Sequence, residues 1–95
     1  MAIKKIVQKD GAVEFHLLEV DSWDEFDSLA RYVEKEFDGK VVEKMDEVFT
    51  RKWTFDVQGE LVVLRHHEDV GNYFDGSEKC EVLRRIVADL DERLD

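Results

Sequence analysis

The hydrophobic pattern of the chain begins with two strand-like segments on either side of Asp10-Gly11. The segments are IKKIVQK and AVEFHLLEV, and apolar side chains occupy alternate positions in the middle of the second. An Asp-Gly pair between such runs is typical of a two-residue hairpin turn. We therefore predict strands over about residues 2–9 and 12–20. The two-residue turn sets a register that pairs Ile6 with Phe15.

A period of three to four residues follows in DSWDEFDSLARYVEKEFDG. The apolar residues on one side of this helical pattern are Trp23, Phe26, Leu29, Ala30, Val33 and Phe37. Ser22 and Glu25 match a capping box at the start, and Gly39 is a typical stop. We predict a helix over about residues 23–37.

The central part of the chain predicts a second hairpin around Gln58-Gly59. Alternation in RKWTFDV indicates a strand with one buried face, and the return segment ELVVLRHH is apolar on both faces. The return strand is therefore predicted to lie inside the sheet, with Val62 opposite Phe55 and Leu64 opposite Trp53. Residues 40–49, KVVEKMDEVF, fit either an edge strand or a loop.

The last predicted element is a helix over about residues 77–94. GNYFDGS reads as a turn before it, and Asp75 and Glu78 match a second capping box. Apolar residues then repeat at helical spacing: Cys80, Leu83, Ile86, Val87, Leu90 and Leu94. Together the elements predict a single α+β domain over residues 1–95. We expect an antiparallel sheet of four to five strands with two helices packed on it (ββαβ(β)βα), a two-layer sandwich.

Charge narrows the class of partner. The chain has 24 acids and 14 bases, a net charge of −10, and residues 10–49 hold thirteen acids against four bases. Such a field repels phosphate backbones and anionic membrane surfaces, so we expect no nucleic-acid and no membrane partner. It attracts a basic protein instead. The alternative is that the acids serve only solubility.

The expected compartment is the cytoplasm. One cysteine, Cys80, allows no intramolecular disulfide, which favours a reducing environment. The segment MAIKKIVQKDG has no apolar run long enough for a signal peptide. The longest apolar run, residues 61–64, is far shorter than the roughly 20 residues of a membrane-spanning helix.

The segment RHHED at residues 65–69 raises the question of a metal site. Neighbouring side chains on a strand point to opposite faces, so His66 and His67 are not predicted to hold one ion together. The same-face pairs, His66 with Glu68 and His67 with Asp69, fall short of the three or four ligands of a zinc site. A bulge at the strand end would re-aim one histidine. A metal-binding or small-ligand domain centred on residues 66–69 is therefore our alternative hypothesis.

No catalytic constellation is present in the sequence. Cys80 lies on the apolar side of a predicted helix, where a thiol behaves as a small hydrophobe. No phosphate-binding glycine loop and no nucleophile elbow occurs. We expect neither enzymatic activity nor a cofactor.

Aromatic residues near acids are the remaining candidates for a binding surface. Tyr73 and Phe74 are neighbours, so one is expected to pack into the core while the other faces solvent. Tyr32 is predicted at the edge of the first helix, opposite its apolar stripe. The candidate partner-binding residues are Asp24, Asp27, Tyr32, Glu34, Asp69, Tyr73, Phe74 and Asp75.

In size, acidity and α+β pattern, the chain resembles the small immunity proteins with which bacteria neutralise their own toxins. The resemblance lies in general character and in no specific motif. It implies a stoichiometric inhibitor of a basic protein, such as a toxin encoded nearby, and the acidic surface would deny that protein access to its anionic substrate. The chain is expected to act as a monomer, or as a homodimer joined through exposed sheet edges.

Overall fold

The computed structural model of the protein describes residues 2–94, which form six strands and two helices. In chain order these are β1 (Ile3–Val7), β2 (Ala12–Leu17), α1 (Trp23–Glu36), β3 (Lys40–Asp46), β4 (Thr50–Val57), β5 (Glu60–His67), β6 (Gly71–Ser77) and α2 (Glu81–Leu94). All strands join one antiparallel sheet in the order β1-β2-β6-β5-β4-β3. The predicted α+β class is confirmed, but the sheet has six strands instead of four or five.

The extra strand is β6, where the sequence predicts a turn. GNYFDGS pairs with β2 on one side and β5 on the other, so its backbone hydrogen bonds lie within the sheet. The glycine that suggests a turn, Gly71, does have a positive φ of 84°, but it begins the strand. Asp75 lies inside β6 and caps no helix, and α2 begins only at Glu81.

The first hairpin has a different register from the predicted one. Ile6 lies opposite Glu14, and Lys5 lies opposite Phe15. The turn contains three residues, because the Gly11 N–H donates to the Gln8 carbonyl at 3.2 Å and Gly11 then takes a φ of 87°. This is the geometry of a type I turn followed by a bulge. The one-residue shift moves Ile6 to the face opposite the core.

The central hairpin agrees with the prediction. Trp53 lies opposite Leu64, Phe55 lies opposite Val62, and β5 is an interior strand between β4 and β6. Residues 40–46 are indeed a strand, and β3 forms one edge of the sheet. A bulge between Val41 and Glu43 interrupts its pairing, which is a common protection of an edge strand against further pairing.

Both helices pack on the same face of the sheet and bury one core. The predicted capping box starts α1, since the Glu25 N–H donates to Ser22 Oγ at 3.1 Å and the Ser22 N–H donates to Glu25 Oε1 at 3.2 Å. The core contains side chains from α1, α2 and five strands, the largest fully buried ones being Phe26, Phe55 and Phe74. Tyr32 is predicted opposite the apolar stripe of α1, but the structure places it half-buried between the two helices. Its hydroxyl donates to Asp89 Oδ2 of α2 at 2.6 Å.

The other face of the sheet carries alternate residues of every strand and is here called the open face. Val63, Arg65 and Tyr73 on this face are half-buried by their neighbours in the sheet, while Leu61 is 65% exposed. None of the helices of the described residues is long and apolar enough to cross a membrane.

Candidate functional site

Three segments meet at one end of the sheet. They are the loop that leads into α1, the β3–β4 turn and the β5–β6 turn. The Glu68 N–H donates to the Phe49 carbonyl at 3.0 Å, which joins the two turns. Gly71, at the start of β6, lies against Asp21: a Cβ at residue 71 would come within 2.6 Å of the Asp21 Cβ. A side chain at residue 71 would therefore push the loop away.

This end of the molecule presents apolar side chains surrounded by carboxylates, and we call it the acidic end. Its residues are Asp21, Trp23, Glu47, Val48, Phe49, Glu68 and Asp69. Val48 is 80% exposed, Phe49 58% and Trp23 39%. Exposed aromatic and aliphatic groups in one place, rimmed by polar residues, are typical of an interaction surface.

A recess of about 390 Å³ lies in the middle of the acidic end. It is lined by Asp21, Ser22, Trp23, Val48, Phe49, His66 and Glu68. The carboxylates of Asp21 and Glu68 take part in none of the ion pairs seen within residues 2–94. They therefore remain available to a cationic group that enters the recess.

A buried polar cluster supports the recess from inside. Arg51, His66 and Asn72 are the buried polar residues of the described chain, and they are direct neighbours across β4, β5 and β6. Polar side chains are buried only where partners replace their hydration, so the position of these three is informative. All of them lie on the core face under the acidic end.

Arg51 connects the cluster to α1 and to β3. Its Nη2 donates to Asp27 Oδ1 at 3.0 Å, its Nε to Asp46 Oδ1 at 3.1 Å, and its Nη1 to the Trp23 carbonyl at 3.3 Å. The guanidinium also lies over three aromatic rings, with centroids 4.3 Å away for Phe26, 4.7 Å for Trp23 and 4.9 Å for Trp53. A planar, weakly hydrated cation suits such a site better than an ammonium does.

Asp46 is fixed by the same network. Burial raises the pKa of this carboxyl, but hydrogen bonds from the Trp53 indole and from Arg51 outweigh burial and hold the pKa below its usual value. Asp46 thus keeps its charge and its geometry at the base of the β3–β4 turn.

Asn72 holds the loop before α1. Its Nδ2 donates to the Val20 carbonyl at 2.8 Å and to the Ser22 carbonyl at 3.0 Å, and its Oδ1 lies 2.8 Å from His66 Nδ1. Because the amide oxygen accepts, His66 Nδ1 is the donor. The His66 ring in turn meets the Trp23 ring edge to face at 5.4 Å. Trp23, which lines the recess, is therefore positioned by buried groups.

The structure distributes the predicted partner-binding residues over several surfaces. Asp24, Asp27 and Asp69 lie at or beside the acidic end, although Asp27 is engaged by Arg51. Tyr32 and Glu34 lie farther along α1, while Tyr73 and Asp75 lie on the open face. Phe74 is fully buried, which confirms that one aromatic of the pair packs into the core and corrects its assignment as a partner-binding residue.

The two histidines of RHHED lie on opposite faces, as strand alternation predicts. His66 is in the buried cluster, whereas His67 is on the open face beside a turn that contains Glu68 and Asp69. Within residues 2–94, no three His, Cys, Asp or Glu side chains are grouped so as to hold a metal ion.

Several residues of the site were not found by the sequence reasoning. Arg51 lies two residues before Trp53 and four before Phe55, so alternation along the strand places all three on the buried face. Val48 and Phe49 read as strand residues, but they form the exposed β3–β4 turn. Asn72 reads as a turn residue, and only tertiary structure reveals its buried contacts.

No family model, curated protein or solved structure matches the chain. Function is therefore inferred from the geometry of the acidic end.

Proposed function

We propose that the protein is a protein-binding module that holds a cationic surface of its partner at the acidic end. The observation that carries this proposal is the recess in which Trp23, Val48 and Phe49 are exposed next to the carboxylates of Asp21 and Glu68, which form no ion pair within residues 2–94. Apolar contact supplies affinity at the centre of such a site, and the charged rim supplies orientation and a fast association rate.

The chemistry of the recess defines the group it binds. A lysine or arginine side chain has an apolar stem and a charged head, which match the Val48 and Phe49 side chains and the Asp21 and Glu68 carboxylates respectively. Because the support beneath Trp23 is buried and hydrogen-bonded, little ordering is needed when the partner arrives. The net charge of −10 adds long-range attraction for a basic protein.

We propose more specifically that the protein is a stoichiometric inhibitor of a basic protein encoded beside this chain. The size and acidity that the chain shares with immunity proteins support this form. An acidic protein seated on the cationic site of such a partner excludes the partner's anionic substrate.

The test is calorimetric titration of the protein with the product of the adjacent gene, at low and moderate salt. We expect one-to-one binding that weakens with salt. Phe49→Ala and Glu68→Lys should each weaken binding at least about tenfold, because one removes apolar contact and the other reverses a rim charge.

Two matched variants serve as controls. Leu61→Ala removes a similarly exposed apolar group at the start of β5, and Glu92→Lys makes the same charge reversal near the end of α2. Both should bind like the unaltered protein. Absence of binding contradicts the inhibitor form, and equal losses in test and control variants contradict the location of the site.

A further inference from the structure

One row of open-face residues crosses all six strands, and five of its six side chains are basic or aromatic. From β1 to β3 the row reads Lys4, His16, Tyr73, Arg65, Lys52 and Met45, and each residue is the direct partner of the next. His16 and Tyr73 stack with ring centroids 4.6 Å apart and planes within 11°. The chain has 24 acids against 14 bases, so a row without any acid is a specific feature of the fold.

Two cations of this row lie side by side. Lys52 and Arg65 are opposite each other in the β4–β5 ladder, an arrangement that is unfavourable without a counter-charge. Arg65 Nε donates to Asp75 Oδ2 at 3.0 Å, which leaves its other N–H groups without a described partner. Lys52 takes part in none of the ion pairs of residues 2–94.

A recess of about 210 Å³ lies at these two cations. Its open-face lining consists of Met45, Thr50, Lys52, Arg65, His67 and Tyr73, and Glu47 borders it from the exposed β3–β4 turn. Most of these side chains carry hydrogen-bond donors. The composition is the reverse of that at the acidic end.

His67 and Tyr73 add hydrogen-bond donors to the recess. The Asp69 N–H donates to His67 Nδ1 at 3.1 Å, so Nδ1 accepts and Nε2 is the nitrogen that offers an N–H group. The phenol of Tyr73 keeps its proton at neutral pH, as an ordinary tyrosine does, and burial raises its pKa further. Donors and positive charge together are what a phosphoryl group requires.

We propose that this recess binds a small molecule through a phosphate group, with Lys52 and Arg65 as the charged contacts and His67 and Tyr73 as further hydrogen-bond donors. The site opens on the open face beside the acidic end, and Glu47 and His66 lie between the two recesses. The proposal does not depend on the proposed protein partner. The small volume and the net charge of −10 favour a compact anion over a nucleic-acid strand, which the whole-molecule field repels.

The experiment is an NMR titration of the ¹⁵N-labelled protein with inorganic phosphate and pyrophosphate, with sodium chloride at matched ionic strength as reference. Shifts should concentrate at residues 50–52, 65–67 and 72–73. Lys52→Gln should weaken pyrophosphate binding about tenfold, because a charge-assisted contact is lost. Lys4→Gln, in the same row at the far edge of the sheet, should leave binding unchanged.

The outcomes separate this proposal from its alternatives. Equal effects of Lys4→Gln and Lys52→Gln, or shifts that chloride reproduces, overturn the site. Tighter binding of a short single-stranded oligonucleotide than of pyrophosphate overturns the small-molecule assignment. Lys52→Gln should still bind the protein partner, so failure of one proposal leaves the other standing.

Discussion

Replacing Asn72 with aspartate is expected to lower the free energy of unfolding by roughly 3 kcal/mol at neutral pH. The amide is fully buried and donates to the Val20 and Ser22 carbonyls. A carboxylate has nearly the same shape, but it places a negative charge against two carbonyl oxygens and donates to neither. The loop before α1 then loses its attachment to the sheet.

The loss of stability should depend on pH in a defined direction. A protonated aspartic acid at residue 72 regains one donor, so folding raises the pKa of the introduced carboxyl above its unfolded value of about 3.9. Between the two values the folded state binds more protons, and stability falls as pH rises. Urea unfolding across pH 3–8 should therefore show the smallest difference from the unaltered protein at the acid end of the range.

Gln58→Glu is the matched control, since it makes the same amide-to-carboxylate change at an exposed residue of the β4–β5 turn. Its effect should stay within about 0.5 kcal/mol. A stable Asn72→Asp variant at neutral pH, or one whose deficit is greatest in acid, would contradict the role given to Asn72.

The strand that contains Asn72 could not be predicted from the local sequence. The segment GNYFDGS contains glycine and asparagine, whose local preference is for turns, and nothing within it announces a strand. It becomes one because β2 and β5 offer unpaired edges on both sides and the core accepts Phe74. Strand formation depends on such neighbours far more than helix formation does, whereas the capping box and apolar stripe of α1 act locally.

The first hairpin illustrates a second limit. Asp10-Gly11 is compatible with a two-residue or a three-residue turn, because glycine adopts positive φ in both. The choice shifts the register by one residue and exchanges the faces of β1. In the central hairpin, alternation in β4 and the two-residue Gln58-Gly59 turn predict the register that β5 adopts.

The charge of the acidic end could be predicted from the sequence, but its location could not. The excess of acids is visible in the composition, and so is the expectation of a basic partner. Its location depends on bringing together loops from residues 21, 48 and 68, which only the sheet order achieves. The polar cluster beneath it packs within the core and also positions Trp23, through the Arg51 hydrogen bond to the Trp23 carbonyl and the contact of the His66 ring with the Trp23 ring.

Arg51→Ala is expected to lower the free energy of unfolding by about 3 kcal/mol. The side chain is 6% exposed, and its removal leaves a cavity among three aromatic rings and releases the Trp23 carbonyl. Asp27 and Asp46 are partly exposed, so water can replace the lost charge at their carboxylates. The largest losses are therefore the cation–π contacts and the packing, not the ion pairs.

Arg51→Lys separates these contributions. An ammonium keeps the charge but cannot bond two carboxylates and a carbonyl from one planar group, so we expect a loss of about 1–2 kcal/mol. Arg84→Ala, at an exposed site on α2, should change stability by less than about 0.5 kcal/mol. Guanidinium denaturation measures all three, and hydrogen exchange of the first turn of α1 should accelerate in Arg51→Ala alone. If Arg51→Ala and Arg84→Ala unfold at the same denaturant concentration, Arg51 does not hold the acidic end together.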